Sequence, residues 1–264
     1  MARDFNGSNQ HGQVSIDLSA YPTVFVGAFV WLDALAGAGD FDIIWEYTAD
    51  GGGTSGGFAL YYDGSANVLT SHHAGNVGQS LGTRAAPSTG AWIHLIQGSD
   101  YSKSSQEATM YYGGVLQSLS YTLDANNTNA GHANSTFNVA ARNGSSLRTD
   151  GKIERLFIAS ADPGATAAAA LARGVDPIRA LGPTLLGYWP LWGNDSPEPD
   201  YCGNANITLT NSPAHAAGPS ANRPFDGANW WPGAFTAAGA ATTTPKLIGG
   251  NLIRPNLVRG RLAA

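Results

Sequence analysis

Three carboxylates within seven residues, Asp40, Asp42 and Glu46 in GDFDIIWEYTADGGG (39–53), are the first candidates for chemistry in this chain. They fall on even positions of a β-patterned run, which would place them on one face of a strand. Two carboxylates about 5–5.5 Å apart are what a retaining glycosidase uses, one as nucleophile and one as acid/base. The spacing argues against that use. A strand advances ~3.3 Å per residue, so Asp40 and Glu46 stand roughly 20 Å apart and Asp42 and Glu46 about 13 Å. Ile44 fills the position between the latter two, and Asp side chains are too short to close the gap. The expectation is an acidic strand edge or turn, with Asp40 in the loop that follows Ala36-Gly-Ala-Gly39. Asp40 and Asp42 are also the metal candidates, as oxygen ligands for Ca²⁺ at a rim, although no EF-hand-like loop surrounds them.

The other reactive side chains give weaker patterns. His72 and His73 are adjacent, so a strand sends them to opposite faces and they cannot chelate one ion. His94, between Ile93 and Leu95, reads as a structural histidine that satisfies a backbone group, and Trp92 as a core residue rather than a sugar platform. Tyr61-Tyr62 and Tyr111-Tyr112 each send one ring inward and one outward. No Gly-x-Ser-x-Gly elbow, P-loop or CxxC occurs, and Cys202 has no cysteine to pair with.

The elements that must position these residues are strands. Period-2 runs recur near 12–18, 23–33, 41–48, 57–63, 67–72, 91–97, 107–117, 135–141, 152–160 and 184–192. Gly-rich or Asn-Gly-type runs mark the turns: Gly51-Gly52-Gly53, Asp63-Gly64, Gly113-Gly114 and Asn143-Gly144. One segment, DPGATAAAALARG (162–174), reads as a short helix with Asp before Pro at its start and a Gly stop. Low charge (12%), 34 glycines and 15 Asp against 4 Glu fit many turns and few helices. The expected fold is all-β, a two-sheet antiparallel jelly-roll sandwich over 1–218 with one short helix.

After residue 218 the pattern stops. Residues 219–264 carry five basic residues against Asp226, a net +4, which leaves −9 on the rest of the chain. The ending NLIRPNLVRGRLAA echoes itself, and Pro255 and Gly260 argue against a helix. An extended basic arm that lays strand-like segments on a partner fits this composition. Its expected contacts are Trp230, Trp231, Leu252, Ile253 and Leu257 with Val258, and Arg254, Arg259 and Arg261 on acidic surface. Nucleic acid is not an expected partner, because four net charges over 46 residues make a thin patch. No run approaches the length of a membrane helix, and MARDFNGSNQ has no apolar signal region.

The order of these signals resembles the LamG-like, concanavalin A-like jelly-roll domain across about 3–217. The resemblance lies in DFNGSNQHGQVSI, TVFVGAFVWLDA, GAWIHLIQ, ATMYYGGVLQ, DGKIERLFIASADPGATAAAAL, LLGYWPLWGN and GNANITLTNSP. It implies the fold and little about function, since the fold hosts lectins, enzymes, adhesion modules and virion proteins. Three functions are therefore set against one another. The leading expectation is a non-enzymatic structural protein of a tailed-bacteriophage virion, a capsid decoration or other head or tail component. It would be made in the host cytoplasm and bind other copies of itself or major capsid or tail proteins through the arm. The alternative is a carbohydrate-binding or adhesin module that takes surface glycans. A glycoside hydrolase comes last, and no cofactor is expected.

Overall fold

The structure, a computed structural model, describes residues 1–48, 54–75, 78–124, 131–192 and 196–219. The arm residues Trp230, Trp231, Leu252, Ile253, Arg254, Leu257, Val258, Arg259 and Arg261 lie outside the described residues. In chain order the strands begin with β1 (Ala2–Asn6), β2 (His11–Asp17), β3 (Thr23–Leu32), β4 (Phe41–Tyr47), β5 (Gly57–Asp63) and β6 (Val68–Ala74). There follow β7 (Gln79–Ala85), β8 (Trp92–Asp100), β9 (Ala108–Tyr112), β10 (Val115–Leu116), β11 (Ser120–Asp124) and β12 (Asn134–Val139). β13 (Asp150–Ala159), α1 (Gly164–Ala172), α2 (Pro177–Leu181), β14 (Leu185–Trp189), β15 (Thr208–Thr210) and β16 (Ala214–Ala216) complete the described chain.

The strands form two antiparallel sheets. The first runs β10-β9-β8-β3-β13-β1-β16, with β14 on the second half of β13; the second runs β11-β7-β6-β5-β4-β12-β2-β15. β3 shows why the sequence demands burial on both faces. Val24, Val26, Ala28, Val30 and Leu32 enter the core between the sheets. Phe25, on the opposite face, joins Ile96, Tyr111, Phe157 and Tyr188 under α1 and α2. A strand covered on both faces reads as a continuous apolar run. Gly27 and Gly98 make room for this outer layer: a Cβ on Gly27 would lie 2.4 Å from the Phe157 ring, and one on Gly98 2.3 Å from the Phe25 ring.

Several expectations need correction. There are two short α-helices rather than one, followed by a 3₁₀ turn at Gly182–Thr184. The second helix is one turn long, too short for a periodic signal, yet it carries its own start: Pro177 at its first position, and Asp176, which accepts the Ile178 N–H at 2.9 Å. The expected strand 107–117 is the hairpin β9–β10, turned at Gly113-Gly114 with φ of +59° and +82°. β7, β11 and β16 were not anticipated. β7 (QSLGTRA) lacks clean alternation, because Gly82 stands where Leu119 and Ala108 leave no space for a side chain. β11 is an exposed edge whose pattern no core enforces.

Candidate functional site

The three carboxylates do not act together. Asp40 closes the turn Gly37–Asp40, with its N–H on the Gly37 carbonyl, and precedes β4 rather than lying in it. Within β4 the pairing with β5 slips between Ile43 and Trp45. Before this bulge Asp42 and Ile44 point toward the inter-sheet core; after it Trp45 and Tyr47 do. Glu46 therefore points to the opposite face from Asp42. It is fully buried there, accepts the Asn143 N–H at 3.0 Å and lies 3.5 Å from Arg142 Nε. The even-position face expected from the sequence is broken by one extra residue.

Asp42 instead faces an open cleft at one end of the sandwich. The cleft has a volume of about 420 Å³, and Asn6, Ser8, Asp40, Asp42, Arg148 and Asp150 supply its polar wall while Leu35, Phe41 and Leu147 supply apolar patches. The hairpin loop after β1, the loop between β3 and β4, and the strand start of β13 converge to build it. Burial pushes the Asp42 carboxyl up to about 6, and Asp40 and Asp150 push it in the same direction; the Ala36 N–H, donated to Oδ2 at 2.6 Å, opposes them. Asp42 thus holds its proton to a higher pH than an ordinary aspartate. Among the described residues no three His, Cys, Asp or Glu side chains are placed to hold one metal ion.

The buried histidines belong to a different structure. His72 and His73 do point to opposite faces, and His73 enters the core. A run of hydrogen bonds crosses the sandwich there; burial favours both rings neutral, and the last acceptor then fixes every proton. The Tyr21 carbonyl can only accept, so His132 Nδ1 (2.6 Å away) is the protonated nitrogen and Nε2 accepts from Ser99 (2.9 Å). Ser99 has one proton, so His73 Nδ1 donates to it at 2.9 Å, and His73 Nε2 accepts from Ser71 at 2.8 Å. Ser71 in turn accepts from Gln97 Nε2 (2.8 Å), and Gln97 Oε1 from Trp45 Nε1 (2.7 Å). With both rings neutral the series pairs a donor with an acceptor at every contact. It links β4, β6 and β8 to the loops at Tyr21 and His132, and its role is structural.

The remaining aromatic expectations divide. His94 is buried, edge-on to Phe29 at 4.6 Å and stacked near Phe157. Tyr62 points inward and Tyr61 outward, edge-on to Phe41 at 5.5 Å. Tyr112 packs on the inter-sheet core, while Tyr111, on the outer face, is sealed under the helical layer and donates to Asp162 at 2.7 Å. Trp92 departs from expectation. It belongs to neither core; it is half-buried on the outer face of the first sheet, edge-to-face with Trp31 at 5.9 Å. Asn6, Ser8, Arg148 and Asp150 also escaped the sequence reading. Their one signal was position: each lies in or beside a turn at a strand end.

No protein-family model and no curated protein matches the chain. Solved structures do. A Bacteroides ovatus ATCC 8483 protein described as carbohydrate-binding superposes with a TM-score of 0.56 at 17% identity, over 79% of this chain and 57% of that one. The SAP-like pentraxin of Limulus polyphemus, a heptamer, gives 0.41 at 11% identity over 81% and 97%. Domains LG4-5 of the mouse laminin α1 chain give 0.42 at 14% identity over 60% and 41%. The chain thus spans little more than half the length of the Bacteroides protein. At 17% identity the likeness to the Bacteroides protein bears on the fold alone, an all-β two-sheet antiparallel sandwich of jelly-roll type.

Proposed function

We propose that this domain is a non-catalytic carbohydrate-binding module whose ligand enters the rim cleft. One observation carries the reading: at one end of the sandwich, carboxylates, an amide, a hydroxyl and a guanidinium converge around Phe41 in a cleft of about 420 Å³. Sugars are held by such a mixture, polar groups for the hydroxyls and an apolar patch for the ring. The bulge in β4 supports the non-catalytic part, because it turns Asp42 and Glu46 to opposite faces and so removes that pair from glycosidase spacing. The description of the Bacteroides protein agrees with this use of the fold. The test is a glycan array with the full chain. At least one glycan class is expected to bind, with a tenfold loss of affinity in Asp40→Ala and Asp150→Ala and no release of reducing ends; turnover abolished by Asp42→Asn would refute the reading.

A second reading is favoured by charge asymmetry alone. A net +4 over residues 219–264 against −9 elsewhere suits self-assembly of a structural subunit, such as a tailed-phage virion component. Light scattering of the full chain at low and high salt separates the two. A large oligomer that dissociates as salt rises favours assembly, and a monomer at both favours the lone module.

A further inference from the structure

We propose that a row of side chains on the outer face of the first sheet, Trp92, Trp31, Lys152 and Asp4, is a second ligand-contact surface, continuous with the rim cleft, on which a neutral polysaccharide lies. The inference rests on the carbohydrate reading above and extends it from a single pocket to a track.

The row follows from register. Trp92 pairs with Trp31, Trp31 with Lys152, and Lys152 with Asp4, so four neighbouring strands present these residues side by side. Three strand spacings make the row about 14 Å long, which is longer than one sugar ring. All four point away from the inter-sheet core, and the helical layer that seals the other half of this face draws none of them into its core. Two half-buried indoles on an open sheet face are costly to leave to water.

The row is also held in place. Trp31 Nε1 donates to Asp33 at 2.8 Å. Lys152 Nζ is bound to the other oxygen of Asp33 at 2.5 Å, stands 3.9 Å from Asp4 and lies 5.4 Å from the centre of the Trp31 ring. A platform whose orientation is fixed before binding loses little entropy when a ligand stacks on it. Among the described residues no hydrogen bond engages the indole N–H of Trp92, a half-buried residue. A free donor beside an aromatic face suits a hydroxylated ring.

Charge selects the class of ligand and joins the row to the cleft. Asp33 leads directly into the loop that lines the cleft, and Asp150 of the cleft lies two residues before Lys152. Burial raises the Asp4 carboxyl, Lys152 opposes, and both Asp33 and Asp150 push it further up, so the charges of the row and the cleft sense one another. Carboxylates outnumber cations across the combined surface. Acidic glycans are repelled and neutral ones are not.

The test is native affinity electrophoresis of the full chain through gels containing mixed-linkage β-glucan, galactomannan, xylan, amylopectin or, as the anionic control, polygalacturonate. The expected result is retardation by at least one neutral polymer, none by polygalacturonate, and at least a tenfold weakening in Trp31→Ala and Trp92→Ala. Retardation unchanged in both Trp variants but lost in Asp40→Ala and Asp150→Ala overturns the track and leaves the cleft. Binding of short glycans on an array with no retardation by any polymer does the same. No binding in either format overturns both. If an alanine variant loses its near-UV spectrum, the wild-type chain decides: the retarding polymer must shield tryptophan emission from acrylamide, and unshielded emission overturns the track.

Discussion

Acid should unlock the two sheets through His132. Its ring sits 4.8 Å from Tyr101 and 5.5 Å from Phe58 and is almost wholly out of water. Burial lowers its pKa from 6.5 to about 4, while the Tyr21 carbonyl and the Asp100 carboxylate pull weakly the other way. A base with a lowered folded pKa binds its proton more readily when unfolded. Its stabilising effect is complete above 6.5 and drains away as pH falls toward 4. For a shift of this size the loss between pH 7 and pH 5 is about 2 kcal/mol. His73 acts in the same sense, its pKa lowered by burial and by His72, His132 and Lys103. Asp42 acts oppositely, so the wild-type curve alone does not isolate the histidine. His132→Gln does. A glutamine can accept from Ser99 and donate to the Tyr21 carbonyl without titrating, at some loss of packing that is independent of pH. Urea unfolding at pH 7 and pH 5 should show the pH-dependent drop smaller by about 2 kcal/mol in the variant than in the wild type. Equal drops in the two proteins would refute the neutral-ring reasoning. So would a ¹⁵N spectrum with the proton of neutral His132 on Nε2.

Three further outcomes follow from other parts of the structure. Arg3 and Glu198 form a buried pair, with Nε and a terminal nitrogen both 2.6 Å from Oε1, and Arg3 also donates to the Pro213 carbonyl; Arg3→Ala takes the guanidinium away from a buried carboxylate and should cost about 3–5 kcal/mol in urea melts. Asp42→Asn removes a carboxylate whose pKa is raised, whose penalty grows as pH rises through about 6. The variant should therefore melt higher than wild type at pH 7 and lose that advantage at pH 4, with Ala36 still able to donate to the amide oxygen. Gly98→Ala forces the Phe25 ring out of its place, because the new Cβ would lie 2.3 Å from it; a loss of about 1–3 kcal/mol is expected by the same melts.

What the sequence made legible is what burial enforces. β3 and β8 were readable because their apolar faces leave no other register, and Gly113-Gly114 announced its turn. β11 and β16 were not, because exposed edge strands have no face that a core must claim. His73 and His132 stand 59 residues apart in the sequence and meet through Ser99, a contact that only the stacking of two sheets creates. No local pattern encodes it.

The site failed to be legible for a sharper reason. Alternation assigns Asp42 and Glu46 to one face, and the assignment holds for a regular strand. The bulge at Ile43/Trp45 inverts it, and its cause lies in the core: Ile44 and Trp45 are consecutive and both are claimed by the inter-sheet core. Two adjacent core residues are incompatible with strict alternation, so the strand must gain a residue between the carboxylates. The run Ile43-Ile44-Trp45 already held that conflict in the sequence. The layout of this rim follows from it: Asp42 is left to the cleft and Glu46 is committed to Arg142 on the other face.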